Sequence, residues 1–185
     1  MTSRQEVLKR VVGVIAGAAR ARPVRVAVDG PDAAGKTTLA DELAVALAGV
    51  RPTMRASVDD YIRDQRPHSP GVPATGYFDD NFDLPALIDG LLIPLGPRGD
   101  RNYRSADGAA GTAPYDVVLV VDGVFLLQSA LRPYWDVGIL LHVDEDEMLR
   151  RGVLRDGDPV WRGGRRPETV REAVRPRMAR VPGPA

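Results

Sequence analysis

The chain has 185 residues, 25 basic and 25 acidic, and 44% of its side chains are hydrophobic. That is globular composition, long enough for one good core and too short for two ordinary domains, and its zero formal charge gives no global cue for nucleic acid or a membrane surface. Cysteine is absent and the two histidines, His68 and His142, are too few for a histidine-built metal centre, which excludes disulfide frameworks and thiolate metal sites. No apolar run approaches a bilayer span and the N-terminus lacks the apolar core of a signal peptide, so a cytoplasmic location is expected.

In chain order, Ser3 to Glu6 has the form of a capping box, and Val7, Leu8, Val11, Val12, Ile15 and Ala18 follow at helical spacing. A helix through about residue 20 is expected, making residues 1–23 an N-terminal helical segment ahead of a domain over 24–185. Val24 to Asp29 reads as a strand, Gly30-Pro31 as its end, and Thr38 to Leu47 as a helix with Leu39, Leu43, Ala44 and Leu47 on one face. Met54 to Val58 is the next strand, ending at Asp59-Asp60, and the Pro-rich stretch 64–76 is irregular. Asp83 can cap a helix whose Leu84, Leu87, Ile88, Leu91 and Leu92 follow the amphipathic rule.

Residues 98–114 read as loop. Val117 to Val121 and Val137 to Val143 are apolar runs expected of strands covered on both faces, and His142 on the second reads as a core residue. Asp144 to Glu147 is an acidic first turn suited to a helix dipole, and Glu168 to Ala179 could form a last helix. Strands alternating with helices predict an α/β sandwich, a parallel sheet with helices on both faces. Residues 150–185 hold ten arginines against four acids, a net of +6 that points to an anionic ligand near the C-terminal third.

Gly30-Pro31-Asp32-Ala33-Ala34-Gly35-Lys36-Thr37 fits the phosphate-binding pattern G-x-x-x-x-G-K-[ST], between a predicted strand and a predicted helix. Backbone N–H groups of this loop, continued by Thr38 in the helix, can cradle an anion. Lys36, one of only two lysines, would reach the β- and γ-phosphates of ATP, and Thr37 would hold magnesium through its hydroxyl. Asp122, closing the strand 117–121, has the form of a second magnesium-side residue, although an acid there can also merely cap a turn. Asp59 can accept the proton of an attacking hydroxyl or act as a helix cap. The arginines of 150–166 can be a dipole-matched helix end or a lid that places guanidinium groups on a transferring phosphoryl.

Together these residues resemble the uridine kinase family of P-loop nucleoside kinases, particularly its short bacterial members, over about residues 24–184. The resemblance rests on Val28-Asp29-Gly30 into the phosphate loop, Ser57-Val58-Asp59-Asp60-Tyr61, Tyr77 to Asp83, Leu95-Gly96-Pro97 with Gly99 to Arg104, Val121 to Leu127, Arg151 to Asp156, and Val181-Pro182-Gly183. It implies a five-stranded parallel sheet of the P-loop NTPase type, with a small arginine-rich lid at about 156–167. It also implies a kinase that uses ATP and Mg²⁺ on the 5′-hydroxyl of a nucleoside, uridine or cytidine first. By the same resemblance Asp59 is the general base, Tyr61, Tyr77 and Asp79 border the acceptor, Tyr103 lies by the base, Asp122 is on the magnesium side, and Arg151 and Arg155 flank the lid. The chain departs from the family in Asp122, where glutamate is common, and in stopping where the family usually continues into a strand beside the adenine. The rivals are a kinase of the same fold for another small hydroxylated metabolite, and a nucleotide-binding protein without turnover. Nucleic acid and membrane partners are not expected, and oligomeric state is left open.

Overall fold

The computed structural model describes residues 3–18, 21–63 and 82–144. Four strands form one parallel sheet: β1 (Val24–Asp29), β2 (Thr53–Ser57), β5 (Val118–Gly123) and β6 (Val137–Leu140), in the order β2-β5-β1-β6. Strand alternation splits this sheet's side chains between two cores. Val24, Val26 and Val28 of β1 and Val118 and Val120 of β5 face α1 (Arg4–Gly17) and α2 (Lys36–Ala48), where they meet Ile15, Ala40, Leu43 and Leu47. Ala27, Leu119 and Val121 point the other way, into a cluster with Leu87, Leu91, Leu92, Leu95 and Leu126. These two apolar layers make the expected α/β sandwich with its parallel sheet, here of four strands among the described residues.

The capping box forms as read: the Ser3 hydroxyl accepts from the Glu6 N–H at 3.2 Å and Glu6 accepts from the Ser3 N–H at 2.7 Å. α1 ends at Gly17 and is tied to α2 by the Arg4–Glu42 ion pair at 3.0 Å, while Ile15 sits fully inside the shared core. Arg51 closes the same end of the sheet, its buried guanidinium donating to the carbonyls of Ala18, Arg22 and Asp116.

Three expectations need correction. The stretch over 98–114 contains an antiparallel hairpin, β3 (Asn102–Arg104) with β4 (Ala110–Thr112), whose three-residue strands are too short and too polar to show a periodicity. The helix capped by Asp83 begins as an α turn, α3 (Leu84–Leu87), and widens into a π turn over Ile88–Leu92, where Gly90 lies against the Arg104 carbonyl with no room for a Cβ. Finally, β6 stops at Leu140 and alternates between half-buried and exposed residues instead of being covered on both faces. Among the described residues it pairs with β1 alone, and His142 beyond it is exposed, not in the core. The fifth strand implied by the resemblance is not among the described residues, and the arginine-rich lid at about 156–167 lies outside them.

Candidate active site

The strand register assembles the site. Parallel pairing sets Asp29 opposite Gly123 and Ser57 opposite Asp122, so the carboxyl ends of β1, β5 and β2 open at one place. In an open parallel sheet that is where ligands bind.

From β1 the chain enters the loop Gly30 to Gly35. Ala33 and Gly35 have left-handed φ values of 57° and 86°, the second of which glycine adopts without strain. Gly35 is the N-cap of α2 and offers no side-chain cap, and the first turn of α2 carries no acid, so its leading N–H groups and positive dipole end are left for an anion. Lys36 folds back over the loop, its ammonium donating to the Pro31 carbonyl at 2.9 Å and lying 3.9 Å from Asp32. Thr38 is exposed on the same turn.

Thr37 and Asp122 meet directly. The Thr37 hydroxyl donates to Asp122 Oδ2 at 2.6 Å, joining the start of α2 to the end of β5, and Asp122 is only 1% exposed. Hydroxyl and carboxylate oxygens are the hard donors magnesium prefers, and a pair of them with the remaining places filled by phosphate and water is its usual protein environment. No group of three or more acidic or histidine side chains suited to a metal occurs among the described residues.

Asp59 follows β2 in a short 3-10 turn, Val58–Tyr61, capped by Ser57, and it is exposed at the mouth of the site. Partial burial pushes its carboxyl above the ordinary range, the negative charge of Asp122 adds to this, and Lys36 offsets part of it. A carboxylate with a raised pKa and an open face is suited to accept a proton. Its neighbour Asp60 is engaged in the cap, accepting from the Ser57 N–H at 3.1 Å.

Tyr61 is buried in the cluster against which Tyr103 of β3 packs. Its hydroxyl lies near the Ala106 N–H and Asp107 at the hairpin turn, and among the described residues it makes no well-directed hydrogen bond. Burial first, then the charges of Asp60 and Asp107, push it up to about 12, so it stays a neutral donor. The Tyr103 ring lies about where a Cβ on Gly111 would touch it, 3.4 Å away across the hairpin. Tyr77, Asp79, Arg151, Arg155 and the proposed lid at 156–167 lie outside the described residues, as does His68.

Three residues without an assigned role emerge from the geometry. Asp29, at the end of β1, accepts from the N–H groups of Gly30 at 2.7 Å and Leu127 at 2.8 Å, which ties the start of the Gly30 to Gly35 loop to the segment after β5. Burial raises its carboxyl above the ordinary range, and the Leu127 and Gly30 N–H groups, Lys36 and the Phe125 N–H offset only part of this. Phe125 is held at φ 61°, a left-handed conformation costly for a bulky residue. Arg55 of β2 reaches both Asp122 and Asp41. Period-2 alternation puts Arg55 on the α2 side of its strand, but only the register of β2 on β5 reveals the acid it meets.

No protein-family model and no curated relative matches the sequence. Among solved structures, the chain is similar to a candidate uridine kinase from Bacillus stearothermophilus, with a TM-score of 0.60 and 19% identity over 80% of this chain and 85% of that one. It is also similar to a candidate fructose transport system kinase from Silicibacter sp. TM1040, with a TM-score of 0.57 and 24% identity over 80% and 79% of the two chains. At these identities the likeness is one of fold: the chain shares its α/β architecture with these two structures.

Proposed function

We propose that this protein is a kinase that transfers the γ-phosphoryl of Mg-ATP to the 5′-hydroxyl of a nucleoside, with uridine and cytidine the first acceptors to try. The observation that carries the reading is the 2.6 Å bond from Thr37 to Asp122, which joins a phosphate-binding loop to a buried strand-end carboxylate one strand from Asp59. The loop N–H groups and Lys36 would bind the phosphates and orient the terminal one, Lys36 exchanging the Pro31 carbonyl for phosphate oxygen. Thr37 and Asp122 would hold magnesium, which when bound neutralises charge on the phosphate oxygens. Asp59 would take the proton of the acceptor hydroxyl onto its carboxylate as that oxygen attacks. Tyr61 and Tyr103, with Tyr77 and Asp79, would border the acceptor, and Arg151 and Arg155 would bring positive charge to the phosphates.

The likeness to a candidate fructose transport system kinase keeps a second acceptor class in view, a sugar or similar hydroxylated metabolite on the same machinery. Measuring Mg²⁺-dependent ADP formation with uridine, cytidine, adenosine, fructose or no acceptor separates the two. Nucleoside-stimulated turnover that Lys36→Ala lowers at least about 100-fold is the expected result. Stimulation by the sugar alone would replace the acceptor, and retained ATP binding with no product from any acceptor would leave a nucleotide-binding protein.

A further inference from the structure

Asp122 is nearly inaccessible, and a lone carboxylate in such a place carries a heavy desolvation cost unless a positive group stands beside it. Arg55 is that group. Its Nη2 lies 2.9 Å from Asp122 Oδ1, its Nε donates to Asp41 Oδ1 on α2 at 3.0 Å, and its Nη1 donates to the Ala56 carbonyl. The guanidinium is thus fixed on three sides. Its contact with Asp122 is a charge pairing without the alignment of a directed hydrogen bond, which leaves Oδ1 without a hydrogen-bond partner among the described residues. The other oxygen is taken by the Thr37 hydroxyl. A divalent ion approaching these two side chains would therefore meet a carboxylate already paired with a cation, and a fixed like charge behind it that Asp41 shares.

We propose that Arg55 is a positioning residue that acts as the standing counter-cation of Asp122 and makes metal binding at Thr37 and Asp122 depend on nucleotide. The inference rests on the metal role given to Thr37 and Asp122 above. In the free protein Arg55 balances the buried charge and repels a bare cation, and the phosphates of the nucleotide supply the negative charge that outweighs this repulsion. Asp41, on the far side of the guanidinium, keeps Arg55 from leaving and so keeps the penalty in place.

The test is Mn²⁺ binding, read by electron paramagnetic resonance and by the Mn²⁺-induced shift in thermal midpoint, with and without ADP, for the full chain and for Arg55→Met and Arg55→Lys. Without ADP, Arg55→Met should bind Mn²⁺ at least about fivefold more tightly than the unmodified protein, the low end of coupling between interacting sites, and gain more in thermal midpoint. Arg55→Lys, which keeps the charge, should stay near the unmodified protein. A purely structural Arg55 would instead give Arg55→Met an affinity equal to or weaker than the unmodified chain, and that result overturns the proposal. If Arg55→Met does not fold, Arg55→Gln removes the same charge with more polar bulk and is read by the same criterion. Tight Mn²⁺ binding with ADP in every protein, but no gain in Arg55→Met without it, would defeat this inference alone. Absence of Mn²⁺ binding by the unmodified protein even with ADP would defeat both it and the metal role of Thr37 and Asp122.

Discussion

Asp59 stands between two requirements. In the proposed role of base it must be ionised and partly desolvated, yet burial and the Asp122 charge both disfavour the ionised form and raise its pKa. The acid limb of kcat/KM should therefore fall above the ordinary carboxylate range, turnover being lost as pH drops through the raised value and Asp59 takes up its proton. Asp59→Asn should remove this limb and lower kcat by about 10²–10⁴. Linkage gives the opposite sign for stability: a carboxyl with a raised folded pKa penalises the native state at pH above that value, so Asp59→Asn should unfold at neutral pH no earlier than the unmodified chain. A rate profile and a urea titration on the same two proteins check both, and near-normal turnover in Asp59→Asn would remove the base assignment.

Among the elements, the ends of β2 and β5 approach so closely that Gly123 has no space for a side chain. A Cβ there would overlap Val58 Cγ1, just before Asp59. Gly123→Ala should cost about 1–3 kcal/mol, the usual penalty for forcing extra bulk into a packed core, and lower the urea midpoint with little change in slope. The capping box of α1 and the loop leading to α2 were legible because their determinants lie within a few residues of each other: Ser3 with Glu6, and Gly30 through Thr37. The β3–β4 hairpin was not, since it is held by contacts such as the 2.7 Å bond from the Thr112 hydroxyl to Asn102, ten residues back, rather than by an apolar repeat. For β6 an apolar run suggested full burial, but its position beside β1 leaves alternate residues exposed.

Across the whole molecule, Asp136 ties the start of β6 to β1. It pairs with Arg22 at 2.9 Å, and it accepts from both the backbone N–H and the Nε of Arg25, at 2.8 and 3.2 Å, while Arg25 also donates to the Leu92 carbonyl closing the π turn. Burial alone would raise the Asp136 carboxyl, but the bonds from Arg22 and Arg25 outweigh it and hold the group below its ordinary range. A depressed folded pKa contributes stability that is complete above the unfolded value of about 3.9 and is lost as pH falls through the folded one. Asp136→Asn should therefore cost about 3 kcal/mol at pH 7 and show a flatter loss of stability on acidification, measured by denaturant unfolding at pH 7 and at pH 3.

By itself the sequence determined what adjacent residues can decide. It specified the strand–loop–helix proposed to cradle phosphate, because glycine and lysine at fixed spacing act on a single turn of backbone. It specified the two-faced strands as well, because alternation sorts Val24, Val26 and Val28 from Ala27 without reference to the rest of the chain. The tertiary structure alone decided which distant groups share charge. Asp29 finds the Leu127 N–H 98 residues away, and Thr37 finds Asp122 at a separation of 85. Arg55 is set between Asp41 and Asp122 by the register of β2 on β5. A carboxylate's partners depend on which strand ends lie side by side, and strand order in a parallel sheet is set by packing over the whole domain, not by any local pattern.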